Sequence, residues 1–185
     1  MRFTKINKVA EGNHLNMYSV EYIAKDNRKK SYEMVSRNDL EHLTDIGEDS
    51  IESVVIIATN AEEDKILLNH EYRMAIGTWV YNFPSGMVDE GETPVETARR
   101  ELQEETGLYL YEVTGELINS YAAVGISNEK SVCILGKAHG LFAESTSSYE
   151  EINAQWYSKA EVREMIKTER FSSRAQMFCY LWSKE

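Results

Sequence analysis

Three glutamates lie close together near the middle of the chain, in a spacing that could hold a cation. Residues 101–105 read ELQEE. On a helix that turns by about 100° per residue, Glu104 and Glu105 lie about 60° and 40° to either side of Glu101. Like charges four positions apart destabilise a helix, and a divalent cation bound by their oxygens would remove this repulsion. A solvated acidic face is the alternative interpretation, and the helix by itself does not choose between the two.

The residues around the glutamates predict a helix over residues 94–106. Thr93 is suited to cap its start, Pro94 to occupy its first position and Glu96 to complete a capping box. Gly107 follows the last helical residue, where a left-handed backbone is favoured. A mostly apolar stripe beside the acidic one would pack inward, and it consists of Val95, Ala98, Leu102 and Thr106.

The acidic helix and the loop before it form a longer motif. Residues 83–108 read FPSGMVDEGETPVETARRELQEETGL, which resembles the Nudix box, G-x5-E-x7-R-E-U-x-E-E-x-G-U, where U is a bulky aliphatic residue. Every position matches, at Gly86, Glu92, Arg100, Glu101, Leu102, Glu104, Glu105, Gly107 and Leu108. Seven fixed identities recur by chance in about one window in a billion at average residue frequencies. The resemblance therefore favours cation binding over a solvated acidic face.

In Nudix hydrolases this motif holds metal ions against the diphosphate of the substrate. The resemblance implies that the ligands here are helix carboxylates and one backbone carbonyl, namely Glu101, Glu105, Glu104 and either Ser85 or Gly86. It also implies that Arg100 and Glu92 orient the carboxylates rather than bind the metal, with Arg100 and Glu104 counted among the catalytic residues. The implied cofactor is Mg²⁺, with Mn²⁺ as an alternative, because magnesium binds few carboxylates and keeps several waters.

The segment before the motif resembles one branch of this family. Residues 70–92, HEYRMAIGTWVYNFPSGMVDEGE, are similar to the same region of ADP-ribose and nucleoside-diphosphate-sugar pyrophosphatases, in which an arginine at the position of Arg73 contacts the diphosphate or the terminal ribose. Members of this branch commonly exchange an N-terminal sheet across a homodimer, and an aromatic residue of the partner stacks on the base. Tyr18 and Tyr22 are the candidates for that contact, although packing within the sheet is the simpler interpretation for both.

Two positions depart from the pattern of that branch. Val124 precedes Gly125 in YAAVGISNE, where a proline usually marks a preference for ADP-ribose. Asn82 stands where a glutamate is common. These departures bear on ADP-ribose as the substrate, and they leave pyrophosphate hydrolysis unaffected.

Two loops offer a general base or a further metal ligand. Glu129 ends the loop at residues 121–129, and Glu150 stands beside Glu151 before a predicted strand. The branch places carboxylates near the metals in both loops, so the resemblance implies that either glutamate could take the proton of the attacking water. A solvated surface charge is the alternative for each.

The remaining pattern predicts an α/β fold. Residues 2–11, 17–25 and 30–36 are typical of a small antiparallel β-sheet, and the continuous β-branched run at 53–59 is typical of a strand covered on both faces. Further strands are predicted at 65–72, 110–123, 130–138 and 154–157, and helices at 159–168 and 172–183. We expect a Nudix-type α/β/α sandwich with a mixed sheet over residues 49–185, preceded by an N-terminal antiparallel sheet over residues 1–48 that forms the homodimer.

Composition narrows the possible partners. The 185 residues carry a net charge of −11, which argues against a nucleic-acid-binding surface and means that a phosphate site needs cations from elsewhere. Cys133 and Cys179 have no CxxC spacing, so neither a disulfide framework nor a zinc site is expected. No apolar stretch approaches the roughly 18 residues of a membrane span, and the N-terminus lacks the apolar core of a signal peptide. We expect a cytoplasmic protein that binds a small-molecule nucleoside diphosphate and does not contact membranes.

These observations lead to one principal hypothesis and two alternatives. The first is metal-dependent hydrolysis of the pyrophosphate bond of ADP-ribose or a related nucleoside diphosphate sugar, which gives a nucleoside monophosphate and a sugar phosphate. The second is a Nudix hydrolase for dinucleoside polyphosphates or modified nucleoside triphosphates, although such enzymes rarely need the extra N-terminal sheet. The third is a nucleotide-sensing domain without turnover, which usually lacks some carboxylates of the motif.

Overall fold

The computed structural model describes residues 1–47 and 51–184, and these form two compact units. One unit contains Met1–Glu52 and Asn119–Ser131, and the other contains Ser53–Ile118 and Val132–Glu185. The boundary predicted between residues 48 and 49 lies outside the described residues.

The first unit is built on an antiparallel sheet of three strands, as predicted. Strands β1 (Arg2–Glu11), β2 (Asn16–Ile23) and β3 (Lys29–Ser36) pair in that order, and a short 3-10 helix follows at Leu43–Gly47. The turn between β2 and β3 has a left-handed residue at Asn27. The unit has its own core, made of Tyr18, Val20, Met34 and Leu40.

The second unit carries the other strands and the α-helices. The strands are β4 (Ser53–Thr59), β5 (Lys65–Arg73), β6 (Thr78–Asn82), β7 (Ser85–Met87), β8 (Tyr109–Tyr121), β9 (Lys130–His139) and β10 (Ile152–Ser158), of which β8 and β9 each have one end in the first unit. The helices are α1 (Pro94–Thr106), α2 (Lys159–Thr168) and α3 (Ser173–Trp182). The sheet has the order β10-β5-β4-β9-β8, with β6 added to β5 and β7 added to β4.

The strand β4 shows why this unit has three layers. Val54 and Ile56 belong to a cluster with Ala98 and Leu102 of α1, whereas Val55 and Ile57 belong to a second cluster with residues of α2 and α3. Because alternate side chains of a strand point to opposite faces, α1 covers one face of the sheet and the other two helices cover the opposite face. The α/β/α sandwich with a mixed sheet is therefore confirmed.

The sequence analysis missed two strands, β6 and β7. Both are short, and their residues do not alternate clearly between polar and apolar side chains. They form because they pair antiparallel with β5 and β4, which is a tertiary contact. The pairing of β7 with β4 places Gly86 opposite Val54.

No helix among residues 1–47 and 51–184 has the length and apolarity that crossing a lipid bilayer requires. Cys133 and Cys179 are both free thiols buried in the second cluster. Burial raises the pKa of both thiols, so they behave as small apolar side chains of the core.

Candidate active site

The helix α1 begins and ends where the sequence predicts. The hydroxyl of Thr93 accepts a hydrogen bond from the Glu96 amide at 3.3 Å, and the Glu96 carboxylate accepts one from the Thr93 amide at 2.8 Å. This reciprocal pair is the capping box. At the other end Gly107 adopts a left-handed φ of 78° and donates to the Gln103 carbonyl at 2.8 Å. The helix is thereby held at both ends by local contacts.

Burial of the apolar stripe sets the direction of the carboxylates. Ala98 and Leu102 are fully buried against the sheet, so the stripe of glutamates faces the edge formed by β5 and β7. Glu105 lies nearest the core with 6% exposure, and the Glu104 side chain is the most open at 47%. The three carboxylates thus occupy environments of different depth.

Glu105 is a buried carboxylate whose hydrogen-bond partner is neutral. Its Oε2 accepts a hydrogen bond from Nδ2 of Asn69 on β5 at 2.8 Å. Burial raises the pKa of Glu105 well above 4.5, and the nearby charges of Glu71, Glu101 and Glu150 raise it further, while the Asn69 amide opposes this shift. The amide oxygen of Asn69 is itself buried without a hydrogen-bond partner among the described residues. Both groups would be better satisfied by a bound cation.

Glu101 lies directly against the backbone of Gly86. A Cβ atom placed on that glycine would lie 1.9 Å from Cδ of Glu101, so only glycine leaves space for the carboxylate. Burial raises the pKa of Glu101, and the Arg100 guanidinium opposes this shift. The glycine of the motif therefore serves to bring a backbone segment and a carboxylate together.

Arg100 gathers most of the polar groups on this side of the helix. Its Nε and Nη2 bind the two carboxylate oxygens of Glu92, each at 2.9 Å, and Nη2 also donates to the Met87 carbonyl at 3.0 Å. Its Nη1 lies 2.7 Å from Oε1 of Glu101 and 3.2 Å from Oε2 of Glu104. The geometry matches the orienting role that the resemblance implies for Arg100 and Glu92. Glu101 and Glu104 each use one oxygen in these contacts.

The contact between Arg100 and Glu92 is charge-assisted and bidentate. The Arg100 guanidinium, with the Thr97 hydroxyl at 2.8 Å, lowers the pKa of Glu92 from 4.5 to about 2. Glu92 also accepts a hydrogen bond from the Asp89 amide at 3.3 Å. The loop between β7 and α1 is thus joined to the helix through one carboxylate.

The sequence analysis missed two residues of this site, Asn69 and Glu71. Glu71 is only 4% exposed. Its Oε1 accepts a hydrogen bond from Nδ2 of Asn82 at 3.0 Å and lies 2.8 Å from Nε of Arg73 in an ion pair. Burial raises the pKa of Glu71, and Arg73 opposes this shift. The sequence does contain a signal for these two residues. Polar side chains occupy the alternate positions 69, 71 and 73 of β5, after the apolar run at residues 66–68.

Glu150, a predicted general base, lies in the electrostatic field of this cluster. After burial and the nearer partners, its charge contributes to the raised pKa of Glu71, Glu101 and Glu105. The loop that carries it is tied to the end of β5, because the Tyr72 amide donates to the Glu151 carbonyl at 3.0 Å. The charge of Glu150 thus acts on the carboxylates of Glu71, Glu101 and Glu105.

Three further residues that were predicted for the site, Glu129, Tyr18 and Tyr22, belong to the first unit. Glu129 lies 3.5 Å from Nε of Arg37. Tyr18 is fully buried, and its hydroxyl accepts a hydrogen bond from the Leu40 amide at 3.0 Å, which favours the interpretation of packing within the sheet. Tyr22 is half-buried and lines an apolar cavity of about 650 Å³ within this unit.

The charges of the site suit a divalent cation. In the second unit the carboxylates of Glu71, Glu101, Glu104, Glu105 and Glu150 interact with one another or with the guanidiniums of Arg73 and Arg100. The Arg100 guanidinium is also shared with Glu92. Within the described part of the chain, no three acidic, histidine or cysteine side chains are arranged so that they could hold a metal ion as they stand. An open set of hard oxygen donors fits magnesium, which retains several of its waters. A cation here would offset the repulsion between the carboxylates.

Known proteins share both the sequence and the fold. The chain is 28% identical over 115 residues to a CMP-5'-(N-acetyl-N-hydroxy-3-aminopropyl)phosphonate hydrolase of Streptomyces rubellomurinus, covering 62% of this chain and 55% of that protein. It is 24% identical over 143 residues to the ADP-ribose pyrophosphatase of Escherichia coli K12, covering 70% and 66%. The chain thus spans about half to two thirds of the length of these relatives.

The fold comparison agrees with the sequence comparison. The crystal structure of an ADP compounds hydrolase superimposes with a TM-score of 0.74 and 19% identity, covering 100% of this chain and 93% of that one. The model of the NUDIX domain matches residues 50–178, which is more than half of the chain and includes the whole acidic helix. The chain therefore belongs to the Nudix family.

Proposed function

We propose that this protein hydrolyses the pyrophosphate bond of ADP-ribose or a related nucleoside diphosphate sugar, in a reaction that depends on divalent cations. The products are a nucleoside monophosphate and a sugar phosphate. The observation that carries this proposal is the environment of the helix glutamates. Glu105 is buried beside a neutral amide, and Glu101 lies where only Gly86 leaves space for it.

The proposed cation would be held by Glu101, Glu105 and Glu104, with a backbone carbonyl of Ser85 or Gly86. When bound, Mg²⁺ neutralises anionic phosphate oxygens and acidifies a coordinated water. Arg100 holds one oxygen of Glu101 and one of Glu104, and leaves the other oxygen of each outside the hydrogen bonds among the described residues. This division suits an orienting residue, since it fixes the carboxylates without occupying them fully.

The chain's own side chains would bind the substrate and move the proton. Arg73 is half-exposed beside Glu71 and would bind an anionic oxygen of the diphosphate. Glu150 would accept the proton of the attacking water, and its electrostatic interaction with Glu101 and Glu105 supports that role. Glu129 remains the second candidate for this base.

The proposed substrate class rests on two relatives and is qualified by two residues. The names of both curated relatives join a nucleotide to a second chemical group, which favours a nucleoside diphosphate derivative over a nucleoside triphosphate. Val124 and Asn82 differ from the branch that prefers ADP-ribose. A related nucleotide sugar therefore remains within the proposal.

A panel of compounds tests this function. The purified protein with Mg²⁺ is offered ADP-ribose, other nucleoside diphosphate sugars, diadenosine polyphosphates and modified nucleoside triphosphates, and the release of nucleoside monophosphate is measured by chromatography. We expect turnover of at least one diphosphate derivative, complete loss of activity with a chelator, and recovery on adding Mg²⁺ or Mn²⁺. A folded protein that turns over none of these compounds would refute the proposal, and a preference for triphosphates would support the alternative Nudix activity.

Paired variants identify the general base. Removal of a general base lowers kcat by about 10²–10⁴-fold, so we expect this loss in Glu150→Gln and a much smaller change in Glu129→Gln. The reverse result would assign the role to Glu129. A cytoplasmic homodimer is also expected, in which Tyr18 or Tyr22 of one chain approaches the nucleobase bound by the other. Light scattering tests the dimer against the 21.3 kDa of one chain.

A further inference from the structure

Glu71 is a buried charged residue that the proposed reaction does not use. It lies on β5, two residues before Arg73, so the two side chains point to the same face of the sheet. Nε of Arg73 lies 2.8 Å from Oε1 of Glu71, so the two residues form an ion pair. A carboxylate that is 4% exposed costs free energy to bury, and such a residue calls for a physical reason.

The contact at Nε restricts the orientation of the arginine. The guanidinium group is planar and carries five donors in a fixed fork. With its Nε 2.8 Å from Oε1 of Glu71, the guanidinium is restricted in where it can lie. The Arg73 side chain remains 47% exposed, so these donors are available for an anionic ligand.

Glu71 is itself held from a second direction. Nδ2 of Asn82 donates to Oε1 of Glu71 at 3.0 Å, and the Ser172 hydroxyl donates to Oδ1 of Asn82 at 2.7 Å. Ser172 caps α3, where its oxygen accepts from the Ala175 amide at 3.3 Å. Because the cap uses the hydroxyl oxygen as an acceptor, its proton is free to be donated to Asn82, and this fixes the amide with its nitrogen towards Glu71.

We propose that Glu71 is a positioning residue that holds the Arg73 guanidinium towards the diphosphate of the bound nucleotide, with Asn82 and Ser172 fixing Glu71 in turn. This inference rests on the proposed function for the identity of the ligand. It goes beyond that function because it assigns a role in affinity to three side chains that contact neither the substrate nor the metal.

The variant Glu71→Gln tests the proposal. A glutamine at this position can still present one oxygen to both Arg73 and Asn82, but it removes the negative charge that attracts the guanidinium. We expect KM for the substrate to rise by about tenfold or more, which is the usual effect of losing a hydrogen bond to a charged group, with kcat within about threefold of wild type. Glu164→Gln is the matched control, since it removes one exposed carboxylate of α2 that pairs only with Lys167 among the described residues.

A double variant exchanges the carboxylate and the amide of the pair and so restores the charge next to Arg73. In Glu71→Gln combined with Asn82→Asp, the new carboxylate accepts from the amide of residue 71 and from Ser172, and the residue 71 oxygen is left to accept from Arg73. We expect KM to return to within about threefold of wild type. An unchanged KM in Glu71→Gln would overturn the proposal, as would a fall in kcat without a change in KM, because that result places Glu71 in the chemical step.

Binding of ADP separates this inference from the proposed hydrolysis. Isothermal titration of wild type and Glu71→Gln with ADP and Mg²⁺ measures the diphosphate contact without turnover. A wild type that binds ADP but hydrolyses no compound would defeat the proposed reaction, and an affinity about tenfold lower in the variant would still support the role of Glu71. Equal affinities, with both proteins folded by circular dichroism, would overturn it.

Discussion

The substitution Gly86→Ala tests the central feature of the site, because it displaces a proposed metal ligand without removing it. The added methyl carbon would lie 1.9 Å from Cδ of Glu101 and 2.1 Å and 2.3 Å from its two oxygens. Ordinary contacts between carbon atoms are about 3.5–4.0 Å. The carboxylate must therefore move by roughly 1.5–2 Å, or β7 must move away from α1.

The expected effect on activity is large and the expected effect on stability is small. The clashing atoms are at the end of a flexible side chain, which rotates away more easily than the backbone moves. A misplacement of about 1 Å at a catalytic site lowers activity by about a hundredfold, so we expect kcat/KM to fall by at least that factor. The free energy of unfolding should change by less than about 1 kcal/mol, since the methyl group enters a half-open surface rather than the core.

Two measurements and one control make the prediction decisive. Activity on the best substrate of the panel and the affinity for Mn²⁺ measured by electron paramagnetic resonance should both fall, while thermal unfolding of the metal-free protein stays close to wild type. Gly115→Ala on β8 is the control, because its methyl group would meet only Leu135, at an ordinary 3.6 Å. If Gly86→Ala retains activity and Mn²⁺ affinity within threefold of wild type, the close contact between Gly86 and Glu101 does not matter for metal binding.

Two further substitutions test the charges of the site. Glu105→Gln should raise the thermal stability of the metal-free protein at pH 7. Burial raises the folded-state pKa of Glu105, so its ionised form disfavours folding at higher pH. The same variant should lose its stabilisation by Mg²⁺, and a melting temperature of the metal-free variant below that of wild type would contradict this prediction. Glu92→Gln should remove part of the acid dependence of stability, because a pKa lowered to about 2 contributes stability above pH 4.5 that is lost as the pH falls towards 2. Equal slopes of melting temperature between pH 5 and pH 2 for this variant and wild type would contradict the second prediction.

The sequence predicted those parts of the fold that local rules determine. The helix at residues 94–106 has the predicted bounds because Thr93, Glu96 and Gly107 act on their own neighbours. The strand at residues 53–59 was predicted equally well, since its β-branched run is buried on both faces. Strands β6 and β7 were missed because three to five residues form a strand only when a partner strand is already in place.

The candidate site shows the same limit. Glu101 and Glu105 could be proposed as ligands from the spacing of the motif, whereas their partners Gly86 and Asn69 act through contacts between distant elements. Arg100 contacts Glu104, four residues later on the same helix, at 3.2 Å, as helix spacing allows. The structure shows a bidentate contact with Glu92, eight residues earlier, because the loop before α1 folds back onto the helix.

The different partners of the two buried glutamates explain how one helix can be both stable and receptive to a cation. Glu101 contacts Arg100, and this cation offsets part of the cost of burying its charge. Glu105 contacts only the neutral Asn69 among the described side chains, so the cost of its ionised form remains and appears as a raised pKa. An arginine in place of Asn69 would stabilise the metal-free protein, but it would neutralise the Glu105 carboxylate that a metal ion would otherwise bind. A neutral amide keeps Glu105 oriented and would leave its charge to be balanced by the proposed cation, at a local cost in stability.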